Sequence, residues 1–192
     1  MKKIPLRQFV AIAMLSTISY ILMFLNFPLP TFPSFLNVDF SDVPALLAAL
    51  TFGPMAAILV ELFKNMIDYF ITGSETGVPV GHISNFVAGI IFVLTTYYIF
   101  KLIKSKLGLT IGLIGGTAMM AIIMSVLNYY VFLPAFNFFL NIPAMSAPET
   151  LKMVVYAILP FNILKGLIVT TIFMLLYTRI HPWIHKQKQA SI

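Results

Sequence analysis

Cysteine is absent from the 192-residue chain, which excludes disulfide bonds, thiolate metal sites and a cysteine nucleophile. Charge is scarce: Asp, Glu, Lys and Arg together make up 9% of the residues, against roughly 25% in an ordinary soluble domain. With only 6 acids and 12 bases, the surface of a water-soluble globule of this size could not be covered. The phosphate-cradling G-x-x-x-x-G-K-[ST] is missing, so the chain does not hold ATP in that manner, and neither H-E-x-x-H nor G-x-S-x-G occurs. Histidine is limited to His82, His181 and His185, the last two on either side of Pro182 in a polar tail, and no metal site is expected. No inverted repeat is apparent in the polar pattern.

Apolar residues are abundant: 60% of the chain is hydrophobic, 14% aromatic, and the mean hydropathy is +0.97. Such a chain is expected to be an all-α, multi-pass integral protein of the cell membrane, with 1–192 forming a single transmembrane domain whose exterior faces lipid. The basic start leading into Phe9–Leu25 resembles a signal peptide. That apolar run is too long for one, however, and the only A-x-A (Ala11, Ala13) stands at its beginning, so it reads as the first transmembrane helix. The sign of the net charge, +6, would suit a nucleic-acid partner, but hydropathy excludes one; the position of the charges is more informative than their sum. Lys2, Lys3 and Arg7, then Lys101, Lys104 and Lys106, then Arg179, Lys186 and Lys188 form three basic clusters, whereas Asp39, Asp42, Glu75 and Glu149 occupy the other connections. The positive-inside rule puts the clusters in the cytoplasm.

Orientation then constrains the number of crossings. The N-terminal and Lys101–Lys106 clusters share a side, yet three single crossings would separate them. The block 43–72 exceeds one span of about 20 residues and contains Gly53-Pro54, where proline removes a donor and disfavours helix before it. Splitting there predicts six transmembrane helices, near 8–27, 41–52, 54–72, 81–104, 109–133 and 150–179, with both termini cytoplasmic. The second is too short to span, so the outer segment from Asn26 to Phe40 is expected to dip towards it, which non-helical backbone does only when buried in protein or lining a cavity.

Polar residues inside the bundle point to the site. Glu61, Lys64, Asn65 and Asp68 fall within about 100° of one helix face, so Glu61 with Lys64 and Lys64 with Asp68 are the expected ion pairs. Lys165 lies in the middle of a helix free of acids and needs a partner from elsewhere: either Glu61, in a structural pair, or a ligand. In the second case Asn162 and Lys165 form the floor of an outward-opening site, with Asn128 in the same outer half. An asparagine amide offers a donor beside an acceptor, which suits an imide edge. Most aromatics near these positions, Phe35, Phe136 and Phe161 among them, belong to lipid-facing or interfacial belts by default, and a minority could wall a planar ring. A different class of function, an intramembrane enzyme using Glu61 and Asp68 as paired carboxylates, is disfavoured because Lys64 between them would hold both ionised.

The outer loop F-L-N-V-D-F-S-D-V-P at 35–44, the T-F-G-P turn at 51–54 and F-N-I-L-K-G at 161–166 together resemble the riboflavin-specific S components of energy-coupling factor (ECF) transporters, over about residues 5 to 180. The resemblance implies a six-helix membrane subunit, with riboflavin bound near the outer side as substrate and not as a cofactor. It also implies delivery through a complex with a transmembrane coupling subunit and two ATPase subunits. The pyrimidine edge of the flavin is expected near Asn128, Asn162 and Lys165, and loop 35–42 over it with Asn37 or Asp39 near the ribityl hydroxyls. Family members often carry Ala-x-x-x-Ala on the first helix for docking. Here Leu15 follows Ala11 at the fourth place, and Ala13 with Thr17 is the nearest small pair, close to Ser16 and Ser19. The alanines at 45, 48, 49, 56 and 57 offer further small faces, which inside a bundle more often serve internal packing.

Overall fold

The computed structural model describes residues 5–33 and 35–190, with side chains as far as Arg179. Lys2 and Lys3, and the side chains of His181, His185, Lys186 and Lys188, therefore lie outside it. The helices are α1 (Leu6–Phe24), α2 (Asp42–Phe52), α3 (Pro54–Thr72), α4 (Val80–Ile103), α5 (Lys106–Leu127), α6 (Leu133–Phe139), α7 (Ala147–Met153) and α8 (Leu159–Ala190). Two short strands, β1 (Phe27–Pro28) and β2 (Asn37–Val38), lie in the connection between α1 and α2. A π-helical turn at Asn128–Phe132 joins α5 to α6, and another at Val154–Ile158 joins α7 to α8, so two long continuous rods close the chain.

The first four helices stand close to their expected positions, but the last two extend beyond 109–133 and 150–179. Pro134 does not end the fifth helix. A proline clashes with the carbonyl four residues earlier, and for Pro134 and Pro160 that residue, Tyr130 or Tyr156, lies within a π turn. Widening the helix there accommodates the ring without breaking the rod.

Four helical stretches are long and apolar enough to cross a membrane: Leu6–Phe24, Val80–Ile103, Lys106–Phe139 and Ala147–Arg179. The expected count of six such spans is thus not matched, for two separate reasons. Helix α2 has 11 residues, about 17 Å at 1.5 Å per residue, and is too short. Helix α3 has 19 residues but carries Glu61, Lys64 and Asp68. Between the two, Gly53 takes φ 97°, a backbone that disfavours any side chain, and Pro54 starts α3 where its missing donor costs nothing.

Small residues set the helix spacing. Gly108, Gly112 and Gly116 recur at four-residue intervals on the buried face of α5; a Cβ on Gly112 would stand 2.8 Å from the Thr96 carbonyl oxygen, and one on Gly116 2.7 Å from that of Phe92. Helix α4 therefore lies nearly backbone to backbone on α5, the contact that lipid surroundings favour. The alanines at 45, 48, 49, 56 and 57 are all buried, so α2 and α3 spend their small faces internally. On α1 the buried face is Ile12, Ser16, Ser19 and Met23. Ala13 and Thr17 are exposed on the other side, and Ser16 and Ser19 do not share their face.

Candidate functional site

The outer connection drops into the bundle. Antiparallel pairing of Phe27 with Val38 and of Pro28 with Asn37 narrows its neck, and beyond it Val38, Asp39 and Ser41 are all but inaccessible. Buried polar groups need partners, and those of Ser41 have them. Ser19 on α1 donates to the Ser41 carbonyl at 2.5 Å; the Ser41 N–H donates to Asp39 Oδ1 at 2.8 Å, and the Ser41 hydroxyl donates to the same oxygen. Lys64, wholly buried on α3, donates to Ser41 Oγ at 2.7 Å and to Asp42 Oδ1 at 2.7 Å, and stands in an ion pair with Glu61 Oε2 at 2.8 Å. A Cβ on Gly89 of α4 would collide with the Glu61 carboxyl, so this glycine gives the acid its room.

Two expected pairings differ. Lys64 pairs with Glu61 as the helix spacing indicates, but its second acid is Asp42 from α2 and not Asp68. Asp68 turns to α4 instead, pairing with His82 Nε2 at 3.0 Å and accepting from Thr72 Oγ1 at 3.0 Å. The partner of Lys165 is neither Glu61 nor left open. Its Nζ donates to Asp39 Oδ2 at 3.0 Å, a residue of the buried outer loop. Burial alone would raise the Asp39 carboxyl, but the ammonium groups of Lys165 and Lys64 and the Ser41 hydrogen bond outweigh it and hold it at about 2. The acid thus stays ionised at physiological pH.

Beneath this loop lies a cavity of two adjoining chambers. The inner one, about 110 Å³, is lined by Asn85 of α4, Asn128 at the end of α5, and Phe161, Asn162 and Lys165 of α8. The outer one, about 270 Å³, is bordered by Asn26, Asp39, Asp68, Thr72, Glu75 and His82. Phe35, Asn37, Gly81, Asn85 and Phe136 line both. Together they reach the scale of small-molecule sites. Asn128 donates Nδ2 to the Met124 carbonyl at 2.7 Å, and Asn162 donates to that of Ile158 at 2.8 Å. Each amide is thereby fixed in orientation by its own helix and retains its carbonyl oxygen for other partners.

All five residues expected at a ligand, Asn37, Asp39, Asn128, Asn162 and Lys165, therefore border this one cavity, which opens at the loop end of the bundle. Phe35, Phe136 and Phe161 belong to the minority of aromatics that wall it; Phe35 and Phe136 stand 6.1 Å apart across its mouth. Sequence reasoning missed Gly81 and Asn85. Their signal was G-H-I-S-N at the start of α4, which places the two one turn apart on a common face. His82 also has a different role from those weighed for it, as a partner of Asp68. Among the described residues, no three His, Cys, Asp or Glu side chains converge as metal ligands.

Comparison with known proteins gives a consistent result. A family model described as "ECF transporter, substrate-specific component" matches residues 7–177. The chain is 48% identical over 186 residues to riboflavin transporter FmnP of Bacillus subtilis, covering 97% of this chain and 98% of that protein. It is 43% identical over 175 residues to riboflavin transporter RibU of Staphylococcus aureus, covering 91% and 90%. A solved structure, described as the S component of a bacterial ECF transporter, superposes with a TM-score of 0.79 at 41% identity, covering 93% of this chain and 97% of that one.

Proposed function

The chain belongs to the substrate-specific component family of ECF transporters, and from that premise we propose that its outer cavity captures riboflavin and hands it to an ATP-driven complex. The observation that carries this reading is the convergence of Asn128, Asn162 and Lys165 from two helices on one chamber beneath a buried loop. The pyrimidine edge of an isoalloxazine presents a carbonyl, an N–H and a second carbonyl in a row. Lys165 supplies a charged donor for a carbonyl, and the two fixed amides supply acceptors for the N–H. Phe35, Phe136 and Phe161 offer faces and edges to the flat ring. Asn37 and Asp39 lie along the way out, where the ribityl hydroxyls would run.

Capture takes place from outside, through the loop end, and riboflavin is substrate and not cofactor. The six helices, α2 and α3 included, cross as one transmembrane domain with both termini in the cytoplasm. The short α2 is completed on its outer side by the dipping loop, and the charges of α3 are spent inward. No nucleotide motif is present, so the energy comes from partners: a transmembrane coupling subunit and two ATPases, the former meeting the exposed Ala13 and Thr17 face of α1. The family is one of transporter components and not of enzymes. The geometry also argues against paired carboxylate catalysis, since Glu61 faces Lys64 and Asp68 faces His82.

The test is a titration of the purified full-length protein with riboflavin, followed by quenching of flavin fluorescence, with thiamine as the control ligand. Saturable riboflavin binding unaffected by excess thiamine is expected; absence of saturation, or equal competition by thiamine, would refute the reading.

A further inference from the structure

Asn85 holds a polar atom with nothing to satisfy it: its Oδ1 is buried and has no hydrogen-bond partner. Buried acceptors in folded proteins are nearly always paired, and one left open at a cavity wall is matched by whatever enters. Among the described residues lining the two chambers, only His82 shares this property, through Nδ1. His82 is already committed through its other nitrogen to Asp68 and lines the outer chamber alone. Asn85 lines both chambers, and so stands where they meet.

We propose that Asn85 is a specificity-determining residue, its Oδ1 accepting a hydrogen bond from the ribityl hydroxyl nearest the flavin ring. The inference rests on the riboflavin reading above. With the pyrimidine edge on Asn128, Asn162 and Lys165, the ring fills the inner chamber and its side chain passes into the outer one. The isoalloxazine carries one N–H, at that same edge, and the floor takes it. An acceptor at the junction can then be matched only by a hydroxyl of the side chain. Asn85 thus distinguishes a flavin with a hydroxylated chain from one without, because only the former gives its oxygen a partner and gains that hydrogen bond.

The experiment compares riboflavin with lumiflavin, the same ring bearing a methyl group in place of the ribityl chain, on the purified full-length parent, Asn85→Ala and Asn85→Asp. Loss of one neutral hydrogen bond should weaken riboflavin binding to Asn85→Ala by roughly tenfold and change lumiflavin binding by less than about twofold. Asn85→Asp keeps the acceptor and should keep the preference for riboflavin over lumiflavin. Lumiflavin binding serves as the check on folding, and if Asn85→Ala fails it, the similarly sized Asn85→Leu reads the same ratio. An equal loss for both ligands, or no loss for either, overturns the role given to Asn85. Failure of the parent protein to bind riboflavin overturns the reading of function instead, so the two failures are distinguishable.

Discussion

Replacing Lys165 by methionine separates the role that the structure shows for its ammonium group from the role proposed for it above. The first is to neutralise Asp39, which is 2% exposed and otherwise meets only the Ser41 donors and the distant Lys64 charge. Breaking a buried pair from one side leaves the other charge uncompensated, at a cost of about 3–5 kcal/mol. The second role is the charge-assisted hydrogen bond to a flavin carbonyl, about 1.5–3 kcal/mol, or roughly tenfold to 150-fold in affinity. Lys165→Met should therefore lower both the unfolding temperature and riboflavin affinity. The double variant Asp39→Asn with Lys165→Met removes both charges and should regain most of the stability, since a neutral, similarly shaped pair costs little to bury. Its affinity should stay at or below that of the single variant. Thermal unfolding in detergent and flavin fluorescence quenching read the two quantities on the same samples. Parental affinity in the double variant would show that Lys165 serves only to hold Asp39, and parental affinity in the folded single variant would remove Lys165 from the floor.

Three further outcomes are expected. Ala13→Trp places a large ring on the exposed face of α1, so riboflavin binding by the isolated protein should be unchanged while ATP-dependent uptake by the assembled transporter is lost; lost binding would mean the face packs internally, and intact uptake that the partner docks elsewhere. Single cysteines at Ser74 should be labelled by an impermeant reagent from outside the cell, and those at Ser105 only from the cytoplasmic side; the reverse would overturn the orientation. Flavin mononucleotide should bind more weakly than riboflavin, because its phosphate, carrying about −1.5 to −2 charges, would enter a chamber bordered by Asp39, Asp68 and Glu75 and, among the described residues, by no Lys or Arg. Asp68→Asn with Glu75→Gln should narrow that gap in competition titrations, and an unchanged ratio would exclude an electrostatic origin.

Local rules read this chain well, and long-range pairing escaped them. The break at Gly53-Pro54, the stripe of Glu61, Lys64 and Asn65, and the placement of Asn162 beside Lys165 follow from helical spacing and from the missing proline donor, both properties of a few neighbouring residues. The expectation that the outer loop dips also follows locally, from an α2 too short to span. The partner of Lys165 could not be found in this way, because Asp39 lies 126 residues away in a loop with no periodicity. Asp42 displaced Asp68 as the second acid of Lys64 for the same reason: a residue from a different helix outcompeted the one at i+4. Pro134 misled in the other direction, since the rule that proline ends a helix holds only where the helix cannot widen. Asn85 went unnoticed because its spacing from Gly81 marks a common helix face but not what that face meets; its importance depends on facing a cavity.

The central claim is that this protein captures riboflavin in the chamber under its outer loop, and the absorption spectrum of the protein purified from cells grown with the vitamin tests it most directly. A yellow preparation is expected, with a flavin absorption band near one equivalent per chain that falls away when Asn128, Asn162 and Lys165 are replaced together in a protein that still folds. A colourless preparation that takes up no flavin on addition would contradict the account, as would a flavin band unaffected by the triple replacement.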